Sequence, residues 1–362
     1  MFGLFRKQAR LATINPAGST LTVEPGKKLL EAALEAGLDW PHDCRVGSCG
    51  TCKCYLKSGK IKPLRDFMYT LEVDDINAGA ILACQSLLKS DVTVEITLKS
   101  DEIRAGGIEH HHGVISHITS LTHDILAVTI TTPDAPFKTA LAGQYAELTI
   151  DAAPLPRSYS FASPPNANDS NDVQFYIRHV PGGEFTDWLF SQDRNGSTVE
   201  IAGPYGNFHQ HESRHPMICV AGGSGLAPIR ALIEAGISNK LNRDIVVLFG
   251  ARTQADLYCM EDLQALGDSW NGSFKLIPVL SEEPDDGPSD EQWPGARGFV
   301  TDELDRTISA NTIIVGDCQA YLCGPPPMID AAIAVLTAQG MPQSNIFFDK
   351  FEDASTLARK AP

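Results

Sequence analysis

Apolar and polar residues alternate in short runs along the first part of the 362-residue chain. Leu11 to Val23 contains two such runs around Pro16-Ala17-Gly18, and Asp91 to Leu98 alternates in the same way. A period of two is typical of strands with one buried face. Lys28 to Ala36 instead places its leucines at helical spacing and stops at Gly37, which predicts a helix. The opening stretch therefore predicts a small domain of strands and one helix.

Residues 114–212 continue the strand pattern in shorter units. The runs are VISHITSLTH, ILAVTITTP, GQYAELTI, VQFYIRHV and STVEIAGP. Turn residues separate them, and Gly203-Pro204-Tyr205-Gly206 is predicted to form a tight turn at the end of the last run. Short, closely spaced strands of this kind predict a small antiparallel β-barrel.

The pattern changes again from His215 onwards, where strands alternate with helical runs. Candidate strands are MICVAG, IVVLFG, FKLIPV, AYLCG and NIFFDKF, and the helical run IRALIEAG follows the first of them. This alternation is typical of a parallel sheet covered by helices. We therefore expect three domains, at residues 1–98, 114–212 and 213–362.

Residues 99–113, KSDEIRAGGIEHHHG, are predicted to be a linker, because they contain two adjacent glycines and no periodicity. The histidines His110, His111 and His112 could suggest a metal site. Three adjacent side chains cannot easily share one face, so a solvated linker is the preferred interpretation.

Composition narrows the class of protein. The formal net charge of −16 argues against a nucleic-acid partner, and no run approaches the ~18 apolar residues of a membrane helix. The start of the chain has no apolar segment typical of a signal peptide. Nine cysteines without such a signal indicate metal chemistry in a reducing cytoplasm. Cys219, Cys259 and Cys318 lack any motif and are expected in the core.

The strongest chemical signal is a cysteine loop. Cys44, Cys49 and Cys52 have the spacing C-x4-C-x2-C, and Cys84 follows 32 positions after Cys52. This spacing is typical of plant-type [2Fe–2S] sites. Gly47, Gly50 and Ser48 suit a loop that folds tightly around a cluster. The alternative is a zinc site with Cys54 as a ligand, but zinc ligands usually come as two spaced pairs.

Charge is unevenly distributed around this loop. Residues 1–98 hold 12 of the 29 Lys and Arg residues and 11 of the 45 Asp and Glu residues, which leaves 17 and 34 for residues 99–362. Basic residues within and after the loop could dock an acidic partner or form a solvated strand face, and both interpretations stay open. These residues are Lys53, Lys57, Lys60, Lys62 and Arg65.

Two motifs in residues 114–212 suit a flavin nucleotide. In Arg157-Ser158-Tyr159-Ser160, an arginine can pair with a pyrophosphate, an aromatic ring can lie against a flat ring, and a hydroxyl can reach a ring nitrogen. In the run from Pro181 to Leu189, Gly182 and Gly183 precede a helix, so amide donors and the Thr186 hydroxyl could bind a phosphate.

Two further motifs follow strands of the predicted parallel sheet. Gly222-Gly223-Ser224-Gly225-Leu226-Ala227-Pro228 would let a dinucleotide pyrophosphate approach a helix N-terminus, although Pro228 stands where a Rossmann motif has its third glycine. Cys323-Gly324-Pro325-Pro326-Pro327-Met328 follows a later strand, at the edge where ligands bind. Arg252 follows the second strand, where the adenosine half would lie.

In this order the motifs resemble the reductase components of bacterial multicomponent oxygenases, which join a plant-type ferredoxin domain to a ferredoxin–NADP reductase-like module. The resemblance implies a multidomain α+β and α/β protein. Its parts would be a β-grasp ferredoxin domain, an antiparallel β-barrel FAD domain and a Rossmann-like NAD domain. Cys44, Cys49, Cys52 and Cys84 would hold the [2Fe–2S] cluster.

The resemblance also implies residue roles. Arg157 and Thr186 would hold the FAD pyrophosphate, and Tyr159 would flank the flavin. The expected catalytic residues are Ser160 near flavin N5, Cys323 at the nicotinamide–flavin contact, and Phe351 covering the flavin unless it is ordinary strand core. The predicted cofactor-binding residues are Arg157, Ser158, Tyr159, Ser160, Arg178, Gly182, Gly183, Thr186, Gly222, Gly223, Ser224, Gly225, Pro228, Arg252, Cys323, Gly324 and Pro325.

The implied function is electron transfer from NADH to FAD, to the [2Fe–2S] cluster and then to a terminal oxygenase of the Rieske or di-iron type. Arg252 could instead bind the 2′-phosphate of NADPH, but family resemblance favours NADH. Two alternatives stay open: a non-oxygenase acceptor, and an electron-carrier subunit that does not oxidise NAD(P)H itself. We also expect a cytoplasmic protein, no membrane insertion, and a monomer, although no motif bears on oligomeric state.

Overall fold

The computed structural model describes residues 8–38, 40–42, 45, 47, 50–98, 107–134, 137–165, 170–283, 293–310 and 315–351. The chain divides into two compact units, Met1–Glu109 and His110–Pro362. None of the helices in these described ranges is long and apolar enough to cross a membrane.

The first unit is built on a five-stranded mixed sheet. Its elements are β1 (Arg10–Asn15), β2 (Ser19–Val23), α1 (Leu29–Glu35), β3 (Lys53–Ser58), β4 (Ile61–Pro63), α2 (Val73–Asn77), β5 (Ala80–Leu82), β6 (Ser86–Leu88) and β7 (Val92–Glu95). The order in the sheet is β2-β1-β7-β3-β5, with β1 parallel to β7. β4 and β6 form a separate antiparallel pair.

The predicted strands and helix of this unit are confirmed. β1, β2 and β7 lie in the alternating runs, and α1 lies within Lys28 to Ala36. Glu31 caps α1 by accepting a hydrogen bond from the Lys28 amide at 3.2 Å. Leu29, Leu30, Ala33 and Leu34 are buried because they lie on the helix face that covers the sheet.

The second unit begins with a six-stranded curled sheet, called the barrel below. Its elements are β8 (Glu109–Ser120), β9 (Ile125–Thr131), β10 (Tyr145–Ile150), β11 (Ala153–Ser160), β12 (Asp172–Arg178), α3 (Glu184–Ser191) and β13 (Thr198–Tyr205). The order is β11-β10-β13-β8-β9-β12. An antiparallel bridge between Phe161 and Phe175 joins its two ends, so the predicted antiparallel barrel is confirmed.

Two predictions in this region are wrong in detail. β8 starts at Glu109, so residues 109–113 belong to a strand and not to the predicted linker. His110 and His112 face solvent, whereas His111 packs edge-on against Phe137 with ring centroids 4.9 Å apart. Alternation along a strand explains why the three histidines do not share a face.

The predicted turn Gly203-Pro204-Tyr205-Gly206 is also wrong, because its first three residues lie in β13. Tyr205 pairs with Tyr145, and Ala202 pairs with Glu147. The register shifts between these two pairs. Gly203 and Pro204 therefore occupy an irregularity within the strand, a place where glycine and proline are tolerated.

The rest of the second unit is a parallel sheet, as predicted, but it has six strands, one more than the five candidate strands. Its elements are β14 (Met217–Gly222), α4 (Leu226–Ser238), β15 (Ile245–Ala251), α5 (Met260–Asp268), β16 (Phe274–Leu280), β17 (Ala296–Arg297), α6 (Val300–Ala310), β18 (Gln319–Gly324), α7 (Pro326–Ala338) and β19 (Ile346–Lys350). The order is β17-β16-β15-β14-β18-β19, and all neighbours are parallel. Every residue of β14 and β18 is buried, as expected for central strands covered on both faces.

Candidate functional site

Two of the four predicted cluster ligands lie next to each other in the first unit. Cys52 is 3% exposed and Cys84 is 1% exposed, and both thiols are free of disulfides. The Ala83 amide donates to the Cys52 carbonyl at 3.3 Å, which brings the two cysteines together despite their distance in sequence. Cys44 and Cys49 lie outside the described residues. Cys54 is also buried, in β3.

The loop before Cys52 has the backbone that a cluster would require. Arg45, Gly47 and Gly50 have positive φ values of 54°, 81° and 78°. Thr70 Oγ1 donates to the Gly47 carbonyl at 2.7 Å, and Gln85 Nε2 donates to the Arg45 carbonyl at 3.1 Å. A loop turned in this way, beside two buried thiols, fits an iron–sulfur cluster held by cysteines.

The two flavin motifs meet on the barrel. Arg157, Ser158, Tyr159 and Ser160 form the end of β11. The rings of Tyr159 and Phe185 are 5.4 Å apart, which places β11 beside the start of α3. Burial raises the pKa of the Tyr159 hydroxyl, so it stays neutral. No carboxylate in the described ranges pairs with Arg157, whose Nη1 contacts only the carbonyls of Leu155 and Pro156 in those ranges.

The glycine loop before α3 is held by its own side chains. Thr186 Oγ1 lies 2.9 Å from the Val180 carbonyl and accepts from the Val180 amide at 3.2 Å. The Gly182 amide donates to Asp187 Oδ2 at 3.1 Å. A Cβ on Gly183 would lie 2.8 Å from Thr186 Oγ1. Thr186 therefore holds the loop through hydrogen bonds to the backbone of Val180. The sequence predicted a direct contact between Thr186 and a phosphate, and did not predict this role.

The two nucleotide motifs lie at the carboxyl ends of β14 and β18, which are neighbours although other strands separate them in sequence. The chain runs from β14 to β15 towards one edge of the sheet, and from β18 to β19 towards the other edge. The point between β14 and β18 is therefore the switch point, the place where parallel sheets of this kind bind dinucleotides. A Cβ on Gly225 would lie 2.2 Å from the Cys323 carbonyl oxygen. Pro228 stands in the first turn of α4, where helix amides need no partner within the helix.

A cavity of about 280 Å³ opens beside these two turns. Its lining includes Gly222, Gly223 and Pro325 from the turns, and also Asp124 and Arg178 from the barrel. A Cβ on Gly223 would lie 3.9 Å from Arg178 Nη1. Arg178 therefore faces the dinucleotide turn.

Arg252 also lines this cavity, and it pairs with two carboxylates. Its Nη2 is 2.9 Å from Asp256 Oδ1 and 3.4 Å from Asp124 Oδ2. Asp124 Oδ2 also accepts from Arg178 Nε at 3.0 Å. Partial burial alone would raise the pKa of Asp124, but hydrogen bonding from Thr122 and the Arg178 charge outweigh it and lower the pKa. We call Asp124, Arg178, Arg252 and Asp256 the charged network.

Cys323 and Phe351 share one buried cluster at this end of the sheet. Cys323 is fully buried, and burial raises the pKa of its thiol well above the usual range. Phe351 is partly buried against the cluster that contains Cys323, Tyr176 and Tyr258. Its amide donates to the Gly324 carbonyl at 2.9 Å. Phe351 thus lies beside the CGPPPM turn, whereas Cys323 has no exposed surface.

Sequence reasoning missed several residues that line the cavity. Asp256 could have been found, because Thr253-x-x-Asp256 is a capping box sequence and the structure forms that box. Tyr258, a buried residue whose hydroxyl donates to the carbonyl of the lining residue Gly223 at 2.8 Å, carries no sequence signal. The same holds for Asp124, in the turn between β8 and β9, and for Phe299, which is 70% exposed at the cavity.

Comparison with known protein families agrees with this arrangement. Residues 12–89 match the 2Fe-2S iron-sulfur cluster binding domain, residues 112–210 match the oxidoreductase FAD-binding domain, and residues 219–333 match the oxidoreductase NAD-binding domain. These families account for the cysteine pair, the barrel and the parallel sheet in turn. The chain is therefore an NAD(P)H-dependent oxidoreductase with [2Fe–2S], FAD and NAD sites.

Relatives match over nearly the whole length. The xylene/toluene monooxygenase electron transfer component of Pseudomonas putida is 39% identical over 94% of this chain and 93% of its own. The phenol 2-monooxygenase reductase component of Pseudomonas sp. strain CF600 is 33% identical, over 95% and 94%. The crystal structure of an Amycolatopsis cytochrome P450 reductase has a TM-score of 0.83 at 28% identity, over 95% and 99%. The chain belongs to the family of reductase components of bacterial multicomponent oxygenases.

Proposed function

We propose that the protein passes electrons from NADH, through FAD and a [2Fe–2S] cluster, one at a time to a terminal oxygenase component. The observation that carries this proposal is the meeting of two glycine turns at the switch point of the parallel sheet, opposite Arg178 of the barrel. An electron-carrier subunit without its own nucleotide oxidation would not need this site.

The dinucleotide would lie across the cavity. The turn from Gly222 to Gly225 offers amides at the start of α4, and Arg178 offers a guanidinium for the pyrophosphate. The exposed ring of Phe299 offers a flat surface for the adenine. Asp124 and Asp256 pair with Arg252 and neutralise its charge. This favours NADH over NADPH, because the 2′-phosphate of NADPH would need a cation there.

The flavin would lie on the barrel. Arg157 would pair with the FAD pyrophosphate, the backbone of Gly182 and Gly183 would bind near it, and Tyr159 would flank the ring system. When bound, FAD accepts electrons in pairs and the cluster carries them singly, which is why such a chain needs both. Ser160, only 4% exposed, would donate a hydrogen bond at flavin N5. Phe351 would cover the ring near Cys323 and exclude water.

The cluster would be held by Cys44, Cys49, Cys52 and Cys84. Cys52 and Cys84 supply buried sulfurs on adjacent segments, and the hydrogen bonds from Thr70 and Gln85 fix the loop around them. Two of the basic residues near this loop are already paired, Lys53 with Asp75 and Lys57 with Glu95, both at 2.8 Å. An acidic acceptor would therefore depend more on Lys60 and Lys62, which follow the loop.

The acceptor follows from the relatives. The xylene/toluene and phenol enzymes are monooxygenases by name, which supports an oxygenase of aromatic catabolism as the partner here. We propose a monomeric reductase that meets this partner transiently. Reconstitution with a purified terminal oxygenase component should support NADH-dependent substrate hydroxylation. A pull-down that returns only a non-oxygenase acceptor would contradict the assignment, and light scattering would test the monomer.

Replacing one cluster ligand tests the direction of electron flow. Cys84→Ser should abolish the reduced-state EPR signal of the cluster and the reduction of cytochrome c, because a ligand of the cluster is lost. NADH-dependent ferricyanide reduction should persist, because ferricyanide can take electrons at the level of the flavin. Bleaching of the flavin by NADH in the same variant would show that the nucleotide site is intact.

The matched control is Cys54→Ala, which removes another buried thiol of the same unit. Its EPR signal and cytochrome c reduction should remain. If cytochrome c reduction survives in Cys84→Ser, the cluster is not where electrons leave the protein.

A further inference from the structure

The charged network joins two domains through a single carboxylate. Asp124 lies in the turn between β8 and β9 of the barrel, and its Oδ2 is 3.0 Å from Arg178 Nε. The same oxygen is 3.4 Å from Nη2 of Arg252, which follows β15 of the parallel sheet. Asp256 completes the network at 2.9 Å from Arg252. Asp124 thus contacts both Arg178 and Arg252, the two cations of the charged network that line the nucleotide cavity.

The position of Asp124 is fixed by its surroundings. Its side chain is 17% exposed, and Thr122 Oγ1 donates to Oδ1 at 3.0 Å. Its carbonyl accepts from the His179 amide at 2.8 Å, which ties the turn to the end of β12 next to Arg178. The Thr122 hydroxyl and the two arginines thus hold the Asp124 carboxylate in place on the charged network.

This placement has a chemical consequence for the ligand. A 2′-phosphate that approached Arg252 would meet the carboxylates of Asp124 and Asp256 at hydrogen-bond distance from the same nitrogen, and like charges this close are strongly unfavourable. A ribose 2′-hydroxyl carries no charge and can donate to a carboxylate. His123, 3.6 Å from Asp256 and 3.9 Å from Asp124, stands at the exposed side of the network.

We propose that Asp124 is a specificity-determining residue for the nicotinamide nucleotide, although it belongs to the FAD-binding barrel. Its carboxylate holds Arg178 towards the Gly222–Gly225 turn, where the pyrophosphate would bind. Together with Asp256, it also pairs with Arg252, so that Arg252 does not bind a 2′-phosphate. This assignment rests on the proposed function as an NADH-dependent reductase. Asp124 lies outside all the nucleotide-binding motifs identified in the sequence.

The test is Asp124→Asn in the full-length holoprotein, with NADH and NADPH compared in ferricyanide reduction. We expect the ratio of kcat/KM for NADH over NADPH to fall about tenfold, mainly because NADPH improves. Calorimetric titration with 5′-AMP and 2′,5′-ADP should show the same fall in the ratio of affinities, independently of turnover. Asp134→Asn, an exposed residue of the same barrel, is the matched control and should leave both ratios unchanged.

A double variant identifies the route of the effect. Adding Arg252→Gln to Asp124→Asn should remove the gain in 2′,5′-ADP affinity, because the gain comes from an Arg252 guanidinium that has lost one of its two carboxylates and keeps only Asp256 among the charged network. Thr122→Val keeps the charge of Asp124 but removes both hydrogen bonds of the Thr122 hydroxyl, the one to Asp124 Oδ1 and the one from the Asp124 amide. It should shift both ratios in the same direction by a smaller factor. If Asp124→Asn does not retain FAD, Thr122→Val provides the test of the inference in its place.

Three results would overturn the inference: unchanged ratios in Asp124→Asn, a gain that survives Arg252→Gln, or a Thr122→Val protein identical to wild type. If the wild-type protein does not reduce ferricyanide with NADH, the proposed function fails instead. The titration with the two adenosine nucleotides still decides the role of Asp124 in that case.

Discussion

Single residues at the switch point show how closely two backbone segments approach there. A Cβ on Gly222 would lie 2.6 Å from Met328 Sδ, and one on Gly225 would lie 2.2 Å from the Cys323 carbonyl oxygen. The first contact involves a flexible side chain, but the second involves backbone that cannot retreat. Glycine at position 225 is thus required by the close approach of the turn after β14 to the end of β18, before any ligand is considered.

Gly225→Ala should therefore disturb both stability and nucleotide binding. Overpacking of this kind costs about 1–3 kcal/mol, so we expect a lower melting temperature together with a raised KM for NADH. Thermal unfolding and steady-state kinetics measure the two effects. Gly316→Ala is the control, because among the described residues its Cβ would meet only the Gly340 carbonyl, at 3.7 Å. Equal behaviour of the two variants would contradict this account of the turn.

Residue-level prediction from sequence succeeds where a motif is local. The strand-turn-helix around Gly222 to Gly225 lies where its spacing indicates. Asp124 could not be predicted, because its importance comes from Arg178 and Arg252, which are 54 and 128 positions away in sequence. Contacts of that kind depend on how the barrel packs against the parallel sheet. The pattern of apolar and polar residues along the chain does not predict this packing.

At the scale of elements, the loop between β12 and α3 is organised by hydrogen bonds that the sequence did not reveal. Thr186 and Asp187, both within α3, reach back to Val180 and Gly182. The loop is therefore folded against the helix before a ligand arrives. Such preorganisation lowers the entropy that binding must overcome.

Thr186→Val tests this role of the loop. Losing the hydroxyl leaves the Val180 amide without its partner, at a cost of about 1–3 kcal/mol, although the Val180 carbonyl still accepts from the Gly183 amide at 2.9 Å. We expect FAD to dissociate about tenfold more readily, as followed by the rise of free flavin fluorescence on dilution. Thr186→Ser keeps the hydroxyl and should retain FAD as the wild-type protein does. Normal retention in Thr186→Val would mean that the loop needs no such support.

Element boundaries depart from the sequence pattern where one signal competes with another. Three histidines and two glycines suggested a linker up to residue 113, yet pairing extends β8 to Glu109. Gly203 and Pro204 suggested a turn, yet β13 absorbs them as an irregularity opposite Tyr145. In both cases tertiary strand pairing outweighs local preference.

At the scale of the whole molecule, the order of the three matched domains could be predicted because each carries its own motif. The net charge of −16 adds a property that belongs to no single domain. It attracts cationic acceptors and repels anionic ones at distances that salt can screen. Residues 99–362 contribute most of this charge, with 34 acidic and 17 basic residues.

Ionic strength should therefore act oppositely on two artificial acceptors. At saturating NADH, raising it from about 0.01 M to about 0.1 M shortens the screening length from ~30 Å to ~10 Å. We expect reduction of cytochrome c, a basic protein, to slow, and reduction of the ferricyanide trianion to quicken. The measurement is the apparent second-order rate constant for each acceptor. Parallel trends would show that local charge, and not the net charge, governs the encounter.

The pairing of Asp124 with Arg252 limits how freely this reductase can be recombined. A chimera that grafts an NADPH-type sheet onto this barrel would still carry the Asp124 carboxylate beside the transplanted phosphate site. The reverse graft, this sheet on a foreign barrel, would leave Arg252 with one anion instead of two. Coenzyme preference would have to be exchanged together with the β8–β9 turn, so the practical unit of engineering is larger than the Rossmann-like domain.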